Sequence, residues 1–331
     1  MYKKNDIYFD KKYGELYENI DKGKCIEYNF DHNLGKIKYI FLKRPIKIQG
    51  LDEQFYDIIT PYGYGGPIIT GCNLDSKESL IREFNKEFND FCNRNNIVSE
   101  FVRFHPIYDN GEDFKIIYEI ETIRKTVATE INNDINNYEN QFSKSARKTI
   151  RRCLRDGLTY EYNIHPKNLD TFQEVYYSTM DRKSSDEYYY FDQLYFNDFI
   201  KNFGENILNI NIFYKNNIIA SSLYFYSNQI LNAHLSGTKS EFLYLSPAYL
   251  LKYASYEWGK ANNIKLIHYG GGTSNALEDS LLKFKRKFGK KEFDFKVAKK
   301  VRNTSIYNKL INITGNQNST FFPAYRNITR K

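Results

Sequence analysis

The sequence predicts an α+β fold of two domains in tandem, each a mixed, largely antiparallel sheet flanked by helices. Three observations predict it. The chain has 331 residues, more than the ~100–200 of an ordinary domain. Short apolar runs of strand length alternate with segments of helical period in both halves. An Asn-rich stretch, "EINNDINNYENQ" at 130–141, separates those halves and reads as a connection. The divisions that follow are a first domain over 1–138, a second over 139–301, and a tail over 302–331 that packs back on the first domain.

In the first half, strands are predicted at "KCIEYNF" and "KIKYIFLKR", a helix over Ser76 to Asn96, and further strands at "IVSEFVRF" and "FKIIYEIET". Residues 143–156, "SKSARKTIRRCLRD", form an amphipathic helix that Gly157 stops. Phe142, Ala146, Ile150, Cys153 and Leu154 fall on its apolar side, opposite a cationic stripe. Two helices follow, "NLDTFQEVYYSTMDRK" and "YFDQLYFNDFIKNF", and then three hairpin-linked strands, "NILNINIFY", "IIASSLYFYS" and "QILNAHLSG". In "SPAYLLKYASYEWGKANN", Ser246 is the expected N-cap and Pro247 the first helical residue. A strand "IKLIHY", a glycine triplet, a last helix and a strand "EFDFKVAKK" complete the order β-β-β-α-β-α-β.

Composition bounds the function classes. Aromatics at 17% give ample core material, and the abundance of Lys, Asn, Ile, Tyr and Phe with 7 Pro is discounted as coding bias. No apolar run approaches the ~20 residues of a membrane span, and the N-terminus carries no signal-like stretch, so a cytoplasmic protein is expected. Cys25, Cys72, Cys92 and Cys153 lack metal-ligand spacing, so neither zinc nor a disulfide framework is expected. A net charge of +8 favours phosphorylated partners without requiring duplex DNA.

The stretch "IHYGGGTSNALEDSLLKFKRKFGKK" (267–291) is not a nucleotide loop by spacing, since it holds neither GxxxxGK[ST] nor a GxGxxG that opens a helix. Asn275 to Glu278 fits a capping box, and Leu277, Leu281, Phe284 and Phe288 then repeat with helical period until Gly289. Gly271 and Gly272 permit close backbone approach to a ligand, or simply make a tight turn. The cationic stripe at 143–156, with Arg147, Lys148 and Arg151 among its members, is either a solvated face or a phosphate contact; its single sign favours contact. In "TPYGYGGPIITG" (60–71) Tyr62 and Tyr64 offer flat faces and hydroxyls, though the segment also reads as a surface loop. In "RFHPIYDN" Arg103 and His105 end a strand, and His105 is either structural or able to take a proton from an amine.

Taken in order, "HLSGT", "SPAYLLKYASYEW", "LIHYGGGTS" and "DSLLKFKRKFG" resemble the Fem family of peptidoglycan peptide-bridge aminoacyltransferases. The likeness is best from about 141 to 300 and includes the basic helix and the "STMDR" helix; "YGYGGP" and "RFHP" extend it thinly into the first half. It implies two GNAT-like domains in tandem, in a compact member without the long helical arm that some relatives insert for tRNA. By that likeness Lys285 would lie beside the donor's 3′ end and stabilise the acyl centre, Phe284 would pack next to it, and Arg182 would bind the diphosphate of a nucleotide-linked precursor. His105 stands where relatives can have Asp, which leaves the base open.

The β-β-β-α-β-α-β order is itself the GNAT core, and the phosphate loop of its CoA-using members is missing where "SGTKSEFLYLSPAYLL" stands. The expected function is therefore transfer of an aminoacyl group from aminoacyl-tRNA to an amine of a nucleotide- or lipid-linked muropeptide precursor, with no permanently bound cofactor. Peripheral membrane association is compatible with this. The rivals are an acyl-CoA-dependent N-acyltransferase acting on an amino sugar or other amine in surface-polysaccharide synthesis, and a non-catalytic binder of phosphorylated glycans.

Overall fold

The computed structural model describes residues 6–132, 138–276 and 278–327. Leu277 and the middle of the Asn-rich stretch lie outside the described residues. The chain separates into two compact units, 1–123 with 294–331, and 124–293. Sequence division at 138 and 301 differs from this because each crossing falls inside a strand, where no Gly, Pro or polar cluster marks it.

In the first unit β1 (Lys24–His32) and β2 (Gly35–Pro45) form a hairpin closed at His32↔Gly35. β3 (Tyr56–Ile59) and β4 (Ile68–Cys72) both pair antiparallel with β2. β5 (Ile97–Arg103) pairs parallel with β3, and residues of a late strand, β12 (Lys291–Val301), pair antiparallel with β5. Two short helices, α1 (Lys11–Glu15) and α3 (Asn110–Phe114), flank the long α2 (Lys77–Arg94) in the sequence. Helix α2 presents Leu80, Ile81, Phe84, Phe88 and Cys92 at helical spacing to Phe30, Ile37, Tyr39 and Phe41 of the hairpin. Burying one such aromatic side chain stabilises by roughly 1.5–3 kcal/mol, so this face alone fixes the helix on the sheet.

The predicted strand "FKIIYEIET" is not formed as written. Its first part ends α3 and turns, with Phe114 and Tyr118 buried, and β6 (Ile120–Glu130) begins only later. The apolar run was filling a core from a turn, which periodicity alone does not distinguish from a strand. Strand β4 lies in the segment that also reads as a surface loop, and β3 just before that segment has no assignment from sequence; both are short and close to a Pro.

In the second unit the strand order is β6-β11-β10-β9-β8-β7. β7 (Thr159–Ile164), unassigned from sequence because its polar residues leave it mostly exposed at an edge, pairs with β8 (Ile207–Tyr214). β8, β9 (Asn217–Ser227) and β10 (Ile230–Thr238) form the expected antiparallel meander. β11 (Leu266–Gly271) pairs parallel with β10 and antiparallel with β6. After α4 (Tyr138–Gln141), helix α5 (Lys144–Arg155) and α8 (Pro247–Ala261) share one core with the sheet, in which Ala146, Ile150 and Cys153 meet Leu250, Leu251, Ala254, Ile210 and Leu231. α6 (Asp170–Arg182) packs on β9 and β10, and α7 (Gln193–Phe203) follows it. Gly237 is needed where α6 crosses β10, since a Cβ there would come within 2.3 Å of the Val175 carbonyl. α9 (Ser280–Arg286) lies between β11 and β12 in the sequence.

The tail belongs to the first unit. There α10 (Thr304–Thr314) puts Leu310 with Ile46, Phe55, Val98 and Tyr325 in a second, smaller core. Tyr325 Oη lies 2.8 Å from Ser99 Oγ, and Arg326 pairs with the buried Asp57. Each unit thus has a mixed, largely antiparallel sheet with one described parallel strand pair, β3 with β5 and β10 with β11. This is the α+β class expected. No described helix is long and apolar enough to cross a membrane.

Candidate active site

The parallel pairing of β10 with β11 covers only Ile230↔Leu266, Leu231↔Ile267 and Asn232↔His268. Beyond it both strands continue, each with a bulge, β10 between Ala233 and Leu235 and β11 between His268 and Gly270. Bulges bend strands away from regular pairing, so the sheet is open beyond this point. The glycine triplet stands on the β11 side of that opening.

Two of the three glycines are demanded by geometry. Gly270 has φ of +73°, in the left-handed region. A Cβ on Gly272 would lie 2.3 Å from Asp279 Oδ1. Asp279 is buried, and its carboxylate accepts N–H bonds from Thr273 (3.0 Å), Ser274 (2.9 Å) and Leu282 (2.8 Å) and hydroxyl bonds from Thr273 (2.9 Å) and Ser274 (3.0 Å). Desolvation raises its pKa, but the bonds from Leu282, Thr273 and Ser274 outweigh this and hold the carboxyl well below the usual range. Asp279, not Asn275, is therefore the N-cap, and α9 starts at Ser280. The predicted capping box fails because Asp279 satisfies the loop and the helix start together; Asn275 is exposed.

On α9, Lys285 donates from Nζ to the Gly271 carbonyl at 2.5 Å, and Arg124 of β6 donates from Nη1 to the Gly272 carbonyl at 2.8 Å. No described carboxylate lies within ion-pair distance of Lys285. Its pKa falls from 10.5 to about 7, first through burial, then through the positive charge of Lys252, with smaller like-charge effects of Lys183 and Arg124 opposed by Asp279. An amine in this setting can hold or release a proton at neutral pH and can donate to a developing oxyanion. Phe284, one residue earlier, is half-buried, its ring edge-to-face with Tyr249 (5.1 Å) and Phe288 (5.0 Å).

The cationic stripe is present on α5. Lys148 and Arg151 are exposed with Lys144, Arg152 and Arg155, while Arg147 is half-buried, its Nε without a partner among the described residues. Leu154 departs from the expected apolar side and is 42% exposed, because Cys153 takes the buried position against the Leu245 carbonyl. Arg152 reaches Ser246 Oγ at 2.9 Å. Ser246 precedes α8 as expected but makes no side-chain cap; its backbone is left-handed, with φ of 59°. Arg182, exposed at the end of α6, donates to the Thr238 carbonyl (2.8 Å) and Ser240 Oγ (3.1 Å), which places it at the far end of β10.

The remaining expected residues belong to the first unit. Tyr64 packs against His105 (5.4 Å) and Tyr8 (5.2 Å), and the Tyr62 carbonyl accepts from Tyr13 Oη at 2.9 Å. Arg103 is spent on the Thr60 carbonyl (2.8 Å) and stacks on Phe101. His105 is 0% exposed. Its Nδ1 accepts N–H bonds from Ile107 (3.2 Å) and Tyr108 (3.4 Å), so the ring closes a turn and offers no open face to an incoming amine. The structure thus brings Lys285, Phe284, Gly271 and Gly272 together, with Arg182, Arg147, Lys148 and Arg151 elsewhere on the same unit. Sequence reading missed Lys252, Arg124 and Asp279. A lysine inside the apolar run "AYLLKYASY" was the visible signal for the first; the other two needed the loop's path.

Neither a protein-family model nor a curated protein matches the sequence. Solved structures do match the fold. FemX superposes with a TM-score of 0.69 over 93% of this chain and 95% of that chain, at 13% identity. L-PGS from Bacillus licheniformis gives 0.54 over 92% and 95% at 14% identity. A tandem GNAT protein from the clavulanic acid biosynthesis pathway gives 0.51 over 89% and 96% at 8% identity. At such identities the likeness is one of fold, and the fold is the tandem GNAT-like one.

Proposed function

We propose that this chain is an N-acyltransferase of the Fem type, which moves an aminoacyl group from aminoacyl-tRNA to an amine of a peptidoglycan precursor peptide. The observation that carries the reading is Lys285. It is a lysine with no carboxylate partner among the described residues, fixed on the Gly271 carbonyl where β10 and β11 part, in a chain that shares the FemX fold over nearly its whole length. Attack of an amine on an ester needs an uncharged nucleophile, a fixed approach and a donor for the oxyanion. Lys285 is the donor in this proposal, and Phe284 and Tyr249 shape the wall beside it. The exposed cations of α5 suit the phosphates of a tRNA end, and Arg182 suits a diphosphate.

An acyl-CoA donor is the second reading, because the open parallel pair is the same in either case. Against it, the segment before α8 carries no phosphate-cradling glycines; Ser240–Leu245 forms a 3₁₀ turn there instead. The test is purified protein with a muropeptide precursor and either charged tRNA or acetyl-CoA. Transfer of labelled amino acid from tRNA supports the reading; acylation from acetyl-CoA alone replaces it with the second.

A further inference from the structure

Lys252 of α8 is a lysine out of place. It is 8% exposed, in a core of aromatic and aliphatic side chains, and among the described residues no carboxylate lies within ion-pair distance of it. Its ammonium lies over the faces of Tyr269 (4.7 Å) and Tyr224 (5.6 Å). Such contacts attract a cation to the ring faces without neutralising it. The Tyr224 hydroxyl is itself buried with no hydrogen-bond partner among the described residues. Tyr269 is two residues before Gly271 on β11, so the strand that seats Lys252 also holds the carbonyl that receives Lys285.

We propose that Lys252 is a positioning residue for the transfer: its buried side-chain nitrogen, seated on Tyr224 and on Tyr269 two residues before the Gly271 that receives Lys285, disfavours a second charge there. Lys285 then stands uncharged before the reaction and becomes charged during it. This rests on the acyltransferase reading above. The acceptor's ammonium gives one proton to the Lys285 nitrogen, and the freed lone pair forms the C–N bond to the acyl carbon. The carbonyl π pair moves onto oxygen, beside the new Lys285 ammonium. When that pair returns, the ester C–O bond breaks and the leaving oxygen takes the excess proton of the new amide nitrogen; Lys285 releases its own proton to solvent. The positive charge thus appears on Lys285 as the oxyanion forms, which stabilises the transition state more than the ground state. The groups that face Lys285 are Lys252 from α8, Lys183 after α6, Arg124 from β6 and Asp279 before α9, and Asp279 alone opposes the effect.

The test compares wild type with K252M, K252Q and K252R, each checked for native circular dichroism. In the substrate-free protein, the pH dependence of Lys285 acetylation by acetic anhydride is followed by peptide mass spectrometry. K252M and K252Q should move its midpoint upward by about one pH unit or more, and K252R should leave it in place. With substrates, the acid limb of kcat should move the same way with KM little changed. An unmoved labelling midpoint in both neutral variants overturns the inference, whatever the protein transfers. A moved midpoint without transfer from any donor leaves the lysine coupling standing and overturns the acyltransferase reading instead.

Discussion

Lys285 and Gly271 are joined by a hydrogen bond from the side-chain nitrogen to the backbone carbonyl at 2.5 Å, across fourteen residues of chain. That bond ties the helix after the glycine triplet to the open end of β11. Lys285→Ala should lower transfer by roughly a hundredfold or more, the scale of losing one oxyanion donor, while the variant still melts as a cooperatively folded protein. Initial rates and a melting curve on the same preparation check both.

Asp279 organises the same loop with five accepted bonds. Asp279→Ala leaves the buried Leu282 N–H without an acceptor and unties the Thr273–Ser274 loop, and should cost about 1–3 kcal/mol, read from urea unfolding. The carboxyl's folded pKa is depressed, so the stability it adds is present above its unfolded value of 3.8 and is lost only as pH falls through the lower, folded one. The loop should therefore hold down to pH 4 and loosen in stronger acid, followed by hydrogen exchange at Thr273 and Ser274.

Lys285 has the opposite linkage to an ordinary surface lysine. Its folded pKa of about 7 lies below the unfolded 10.5, so the folded protein binds fewer protons between those values. Stability from this group is present above 10.5 and is lost as pH falls through 7. Lys285→Met should accordingly stabilise the protein most below pH 7, with the difference from wild type closing as pH rises. Denaturant midpoints at pH 6, 8 and 10 measure this.

Much of the second unit was legible in the sequence because its signals are local. The hairpins, the Pro247 helix start and the alternation of strand and helix each sit within about a dozen residues. The site was legible only in part. "FKRKF" marks Lys285, but its Gly271 partner, the cap at Asp279 and the burial of Lys252 depend on contacts between residues far apart or on which helix face meets the sheet. The same limit explains "FKIIYEIET", where an apolar run serves a turn, and His105, where a strand-end histidine caps its own turn.

Glu100 in the first unit is fully buried and accepts from Tyr39 (3.0 Å), Tyr118 (2.8 Å) and Arg302 Nε (2.9 Å). This pair fastens the residue that leads into α10. Glu100→Ala leaves the Arg302 charge buried and unpaired and should cost about 3–5 kcal/mol. Thermal unfolding of the variant tests it, and a shift no larger than that of an exposed control such as Glu119→Ala would count against the pair.

The most direct measurement is single-turnover transfer of a radiolabelled amino acid from charged tRNA to a purified muropeptide precursor, with wild type and Lys285→Ala side by side. Wild type should give labelled product and the folded variant near-background label. Equal product from both, or none from wild type with any charged tRNA, would contradict the proposed function.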